Sequence, residues 1–252
     1  MQVKGVFFDL YGTLMIYNDN AKAWADWIST FYKNLKNYGL TLSFESFANK
    51  CDGFFKKQAP PLKNDGLTTY ERRIQRLCHE LGLNLTNAEL GFTANSCLNA
   101  WHEYVSLDPE TIPVLKKFKK NKKIALISNF DYPPHIYSIL KSMDLQRYFD
   151  SIVISGEVGV KKPDPGIFHI ALKELNLRSD EIVYIGDAPE DIQGANAAHI
   201  QPILIQRATL DQGRLLTDYK ADRDSLNDGQ FDSIFRNVEK ISNLKELFNI
   251  IS

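Results

Sequence analysis

The chain has 252 residues, enough for one large α/β domain or for a core domain with a smaller insert. With 44% hydrophobic and 24% charged residues it belongs with ordinary soluble globular proteins. A net charge of −1 argues against nucleic acid or another polyanion as partner.

In chain order, Val3–Phe8 is an apolar run interrupted by Lys4 and Gly5, and it predicts a first strand. It delivers a carboxylate at Asp9, and the chain then turns at Gly12-Thr13. Between Leu14 and about Val105 the period becomes helical, over Ala21–Tyr38, Ser43–Lys57, Thr68–Leu81 and Asn87–Tyr104. Gly39, Ala59-Pro60-Pro61, Gly66 and Gly82 punctuate these segments. Trp24, Trp27/Ile28, Phe31 and Leu35 recur at helical spacing and read as a core stripe rather than a substrate-stacking surface. In the basic run Lys116–Lys123, Val114, Leu115 and Phe118 form the apolar face of a helix whose wet face carries the lysines.

Strand-like runs follow at Ile124–Ile127, Ser151–Ile154, Ile182–Ile185 and Pro202–Ile205. They alternate with helical patterns at about His135–Ser142, Gly166–Leu175 and Asp191–Ala198. That alternation predicts an α/β fold, a parallel Rossmann-like sheet with helices on both faces. Residues 208–231 are polar and aperiodic and read as a long loop with one short helix. A last helix is expected over Leu244–Ile251, capped by Asn243 with Glu246 three residues on. Cys51, Cys78 and Cys97 are odd in number and widely spaced, so they read as reduced residues of a cytoplasmic protein. Asp9 breaks the first apolar run before it reaches signal length, and no segment approaches membrane-spanning length.

Chemistry-bearing residues follow four of the five predicted strands. Asp9 also suits a turn, where its oxygens bond nearby amides. Ser128-Asn129 suits a helix cap, and equally a site where a hydroxyl and amides bind a phosphate oxygen. Lys162-Pro163-Asp164-Pro165 holds a cation in a backbone restricted by two prolines. Such a cation offsets repulsion between an anionic nucleophile and an anionic substrate. Gly186-Asp187-Ala188-Pro189-Glu190-Asp191 begins a helix with acidic residues, which suits the macrodipole; with Asp9 it also offers oxygen ligands for a hard cation such as Mg2+.

The four motifs together, Asp9-Leu10-Tyr11-Gly12-Thr13, Ser128-Asn129, Lys162-Pro163-Asp164-Pro165 and Gly186-Asp187 with Asp191, resemble those of the haloacid dehalogenase superfamily in order and strand context. The resemblance spans roughly residues 3–207 and looks phosphatase-like around Ser128–Asp131 and Gly159–Phe168. It implies a core of residues 1–14 and 106–252, with residues 15–105 as a helical cap hinged near Leu14–Asp19 and Val105–Pro109. It also implies roles. Asp9 is a covalent nucleophile, and Thr13 and Ser128 orient Asp9 and the phosphoryl group. Lys162 neutralises charge. Asp9, Asp187 and the Tyr11 carbonyl bind Mg2+, and Asp191 orients the metal site. Asn129 lies beside the phosphate-binding Ser128. The implied substrate is a small phosphorylated molecule.

One position departs from the family's phosphatases. Their first motif carries a second Asp as acid/base, worth about 10²–10⁴-fold. This chain has Tyr11, whose hydroxyl ordinarily titrates near ~10. A slow phosphatase is therefore expected, or an acid from the cap, or a leaving group that needs no proton. Asp-x-Tyr-Gly-Thr also resembles the first motif of 2-haloacid dehalogenases, which displace halide without metal. Their last motif has Ser and Asn where this chain has Gly186, Asp187 and Ala188, and their cap arginine has no counterpart after the first motif; Arg72-Arg73 stands in another context. Asp187 and Asp191 favour the phosphatase. A non-catalytic phosphate- or partner-binding chain is the third reading, disfavoured because Asp9, Lys162, Asp187 and Asp191 all remain.

Overall fold

The computed structural model describes residues 3–61, 64–207 and 234–251. Along the chain, β1 (Gly5–Phe8) and β2 (Met15–Tyr17) precede α1 (Asn20–Asn37), α2 (Phe44–Cys51), α3 (Thr69–Glu80) and α4 (Asn87–His102). Next come β3 (Val105–Leu107), α5 (Thr111–Phe118), β4 (Lys123–Ser128), α6 (Pro133–Ser142), β5 (Ser151–Ile154) and α7 (Ser155–Val158). The chain continues with α8 (Gly166–Leu175), β6 (Ile182–Gly186), α9 (Pro189–Ala197), β7 (Gln201–Ile205), β8 (Glu239–Ile241) and α10 (Leu247–Ile250). The described residues divide into two compact units, one of residues 3–16, 107–207 and 234–251, the other of residues 17–61 and 64–106.

The first unit is built on a six-stranded sheet in the order β5-β4-β1-β6-β7-β8, with every pairing parallel. Its central strands are continuous apolar runs because helices cover both faces. Phe7, Phe8, Ile127, Tyr184 and Ile185 have no solvent exposure. Burying a side chain such as Phe7 stabilises by roughly 1.5–3 kcal/mol. Strand order reverses beside β1, which lies between β4 and β6; in open α/β sheets ligands bind at the carboxyl ends of strands at such a point. Register sets the level of the site: Phe8 pairs with Leu126 and with Ile185, so Asp9, Ser128 and Gly186 emerge at the same edge of the sheet.

The second unit is helical. Asp19 caps α1 by accepting from the Lys22 amide at 2.9 Å. Thr68 with Glu71 and Thr86 with Glu89 form capping boxes on α3 and α4. The predicted stripe is this unit's core: Trp27, Ile28, Phe31 and Leu35 are buried, while Trp24 is half-buried and stacks on Trp27 at 4.7 Å. Trp27 also touches Phe31 and Phe54, and its indole N–H donates to the Tyr70 hydroxyl at 2.7 Å. All three cysteines are buried and unbridged.

Several local expectations differ from the structure. Helix α2 stops at Cys51 rather than Lys57, because Gly53 takes a φ of 65° that breaks the helical path. The last helix is split into a 3₁₀ turn, Leu244–Glu246, and α10, and Asn243 makes no cap bond; its amide donates to the Glu246 carboxylate instead. Strands β2 and β3, which pair where the chain passes between the units, and β8 at the sheet edge are too short to have shown a period. The loop expected over 208–231 lies outside the described residues.

Candidate active site

Asp9 leaves β1 with its amide donating to the Ile185 carbonyl at 2.9 Å, so the neighbouring strand fixes its backbone. Lys162 reaches the same point from the loop between α7 and α8. Its Nζ lies 2.6 Å from Asp9 Oδ1, 2.7 Å from Asp191 Oδ1, 3.0 Å from the Tyr184 hydroxyl and 3.2 Å from the Ile127 carbonyl. The lysine and both carboxylates are buried. A buried ion pair persists only with good geometry and satisfied partners, and this one has both.

Asn129 is what aims the lysine. Its Nδ2 donates to the Lys162 carbonyl at 3.0 Å, and its Oδ1 accepts from the Lys162 amide at 2.8 Å. The side chain expected next to substrate thus pairs like a strand with the lysine's backbone. Ser128 ends β4 fully buried, beside Ile127. Thr13 is buried too, and its hydroxyl points to Asp187 Oδ1 at 3.5 Å. Tyr11 packs its ring on Phe130 at 5.4 Å.

Asp187 lies hard against the turn after β1. A Cβ at Gly12 would overlap its carboxylate, and Gly12 has a φ of +88°, so glycine is required there twice over. Asp191 returns from the first turn of α9. Its Oδ1 accepts from Lys162 and, at 2.8 Å, from the Tyr184 hydroxyl; its Oδ2 accepts from the amides of Asp187 at 3.1 Å and Ala188 at 3.0 Å. Both oxygens are therefore filled by protein donors. A Cβ at Gly186 would overlap this carboxyl group.

The charges do not balance. Burial, with the Asp191 charge adding to it and Lys162 opposing, pushes Asp9 up to about 7. Burial and the Asp9, Asp191 and Glu190 charges hold Asp187 well above the usual carboxylate range. Glu190 is pushed up to about 8, by burial first and then by Asp191. Burial opposes the Lys162 charge, but Asp191 and Asp9 outweigh it and hold the ammonium above its ordinary value. One cation thus faces a surplus of buried and half-buried carboxylates, an environment that a divalent cation relieves. Asp9, Asp187 and Asp191 each offer an oxygen within 4.8 Å of the others, and hard oxygen donors suit Mg2+. With Asp191 committed to four protein donors, Asp9 and Asp187 are the carboxylates best placed to hold such an ion.

Residues 3–199 match the model of a hydrolase family, haloacid dehalogenase-like hydrolase. The chain belongs to this family. The hydrolase is 28% identical over 200 residues to the pyrimidine 5'-nucleotidase YjjG of Escherichia coli, covering 75% of this chain and 80% of that protein. It is 32% identical over 114 residues to the glyceraldehyde 3-phosphate phosphatase of Methanopyrus kandleri, spanning about half of that protein's length, 48%, and 43% of its own. Among solved structures, the HAD phosphatase of Thermococcus onnurineus superposes with a TM-score of 0.63 at 21% identity, covering 99% of this chain and 98% of that one. That likeness is one of fold.

The sequence pattern did not reveal two members of the hydrolase's site region. Tyr184 lies within an apolar strand; the signal was a hydroxyl in a stretch where every neighbour is buried, because such a group needs a partner. Arg207 follows β7. Its guanidinium donates to the carbonyls of Gly12 and, at 2.7 Å, Thr13, and it pairs with Asp108 at 2.8 Å, tying down the turn that follows Asp9.

Proposed function

We propose that this hydrolase is a Mg2+-dependent phosphatase of small phosphorylated metabolites acting through an aspartyl-phosphate on Asp9. The observation that carries the reading is the buried Lys162 ammonium, held 2.6 Å from Asp9 Oδ1 and steered there by Asn129. Asp9 forms a bond to phosphorus as the bond to the leaving oxygen breaks. Lys162 offsets the repulsion between that carboxylate and an anionic phosphoryl group. Ser128, at the same sheet edge, donates to a phosphoryl oxygen. Thr13 orients Asp187. Water then attacks phosphorus, the bond to Asp9 breaks, and inorganic phosphate departs with the carboxylate restored. Asp9, Asp187 and the Tyr11 carbonyl would hold the Mg2+, which supplies positive charge to the phosphoryl oxygens and to the crowded carboxylates. Tyr11 is a weak acid and no base at neutral pH, since burial and the Asp9 charge raise its pKa well above the ordinary value. Substrates with good leaving groups are therefore turned over fastest. The helical unit acts as the cap that selects among them. The phosphatase name of the Methanopyrus kandleri relative and the nucleotidase name of the Escherichia coli one support the reaction class.

A 2-haloacid dehalogenase is the second reading, and Tyr11 is the observation in its favour. Against it, the arginines of α3 serve their own unit: Arg72 pairs with Asp65, and Arg73 donates to the Lys57 carbonyl at 2.6 Å. The test is hydrolysis of p-nitrophenyl phosphate, whose leaving group departs without protonation, with and without Mg2+. Turnover that requires Mg2+ and disappears in Asp9→Asn is expected. Turnover retained in Asp9→Asn, or none with metal present, overturns the proposal.

A further inference from the structure

Tyr184 stands in the middle of β6 with its ring edge-on to Phe168 at 4.8 Å and 84°, wholly buried. The ring is ordinary core. The hydroxyl enters the charged cluster: it lies 2.8 Å from Asp191 Oδ1, 3.0 Å from Lys162 Nζ and 3.3 Å from the Ile127 carbonyl. We propose that Tyr184 is a positioning residue, whose hydroxyl donates to Asp191 and thereby keeps the Lys162 ammonium centred on Asp9.

An ammonium has three N–H bonds. Four acceptors surround this one: Asp9 Oδ1, Asp191 Oδ1, the Tyr184 oxygen and the Ile127 carbonyl. The carboxylates therefore compete for the cation, at 2.6 Å and 2.7 Å. A tyrosine hydroxyl brings one proton to this contest. Placed on Asp191 Oδ1, it gives that oxygen a second donor and weakens its claim on the lysine. Asp191 Oδ2 is already saturated by the Asp187 and Ala188 amides, so Oδ1 is where the balance is set. Without the hydroxyl, Asp191 Oδ1 keeps Lys162 alone, and the ammonium is drawn off Asp9 toward Asp191. The nucleophile then loses part of the cation that orients it.

The role rests on Asp9 being the nucleophile, and Tyr184→Phe tests it because the ring, and hence the packing on Phe168, is retained. The first readout is the side-chain ammonium resonance of Lys162 in metal-free protein labelled with ¹⁵N-lysine, assigned with Lys162→Arg. It shifts and exchanges faster with water in Tyr184→Phe; an unchanged resonance overturns the proposal. The second is steady-state turnover: kcat falls about tenfold with KM within about twofold, the loss of one hydrogen bond to a charged group. An unchanged kcat in an enzyme whose turnover depends on Asp9 overturns the positioning role. In an Asp191→Asn background the hydroxyl has no carboxylate to share, so Tyr184→Phe lowers kcat by less than about twofold further. A full tenfold loss there refutes action through Asp191. If wild-type turnover proves independent of Asp9, it is the nucleophile reading that falls, and the resonance still decides whether Tyr184 holds the lysine.

Discussion

Raising the pH should destabilise the sheet-bearing unit of the metal-free protein, opposite to the behaviour of most carboxylate-rich folds. Asp9 moves from 3.8 to about 7 on folding, chiefly by burial. Between those values the folded state binds the proton more tightly than the unfolded one, so unfolding free energy falls as pH rises. A shift of about three units at ~1.36 kcal/mol per unit amounts to roughly 4 kcal/mol, fully lost above the folded value. Asp187 and Glu190 shift in the same direction, and since the groups share one cluster their effects do not simply add. In a window from pH 5.5 to 8.5, carboxylates with lowered pKa, such as Asp150 and Glu181, stay ionised in both states and add nothing to the change. His102 contributes the other sign through its lowered pKa, but it belongs to the helical unit. Trp24, Trp27 and Trp101 also lie there, so tryptophan fluorescence would follow the wrong transition. Scanning calorimetry in EDTA is the appropriate assay. About 1.5 of those units fall inside the window, roughly 2 kcal/mol, so at about 2–4 °C per kcal/mol the transition of the sheet unit should fall by roughly 4–8 °C between the two pH values. Added Mg2+ should restore more stability at pH 8.5 than at 5.5, because the cation competes with the protons. A midpoint that holds or rises with pH in EDTA would refute the charge surplus.

Other substitutions probe single links. Tyr11→Asp supplies a carboxyl in place of the phenol, and it should raise hydrolysis of alkyl phosphates more than of p-nitrophenyl phosphate, at a stability loss of about 3–5 kcal/mol from the emptied space beside Phe130; an equal fall on both substrates counts against the acid/base account. Gly12→Ala drives a methyl into the Asp187 carboxylate at a backbone that already costs about 1–2 kcal/mol for a non-glycine residue, and it should weaken Mg2+ affinity measured by calorimetric titration. Asn129→Ala leaves the Lys162 amide and carbonyl without their partner, so kcat should drop while KM stays nearly constant. A rise in KM alone would return Asn129 to the substrate.

Much of the sheet was legible because its strands are apolar runs of β length. Ser151–Ile154 was read with the bounds the structure gives, and Gly166–Leu175 likewise among the helices. What escaped is what periodicity cannot carry. A three-residue strand such as Glu239–Ile241 has no period to detect, and Gly53 ends α2 through a backbone angle rather than through composition. The site was legible as motifs but not as a network. Asn129 follows Ser128 in sequence, and the partner of its side chain lies 33 positions away along the chain. Asp191 read as part of a cation site, while the donors that fill it come from Lys162, from β6 and from two backbone amides. Hydrogen-bond partners at long range depend on register, and register appears only when strands are paired.

The placement of β1 also bears on how the chain is made. This strand opens the sequence, yet its neighbours are Lys123–Ser128 on one side and Ile182–Gly186 on the other. Phe7 and Phe8 therefore lack one of their two strand neighbours until β6 has been made. The helical unit lies wholly between β1 and both of its neighbours and can form meanwhile; parallel pairing across such distances is slow. A nascent chain stalled before Gly186 carries a hydrophobic strand with an unpaired edge, the species that molecular chaperones hold. Asp9, at the carboxyl end of this strand, is thus made well before the second of the two strands that flank it.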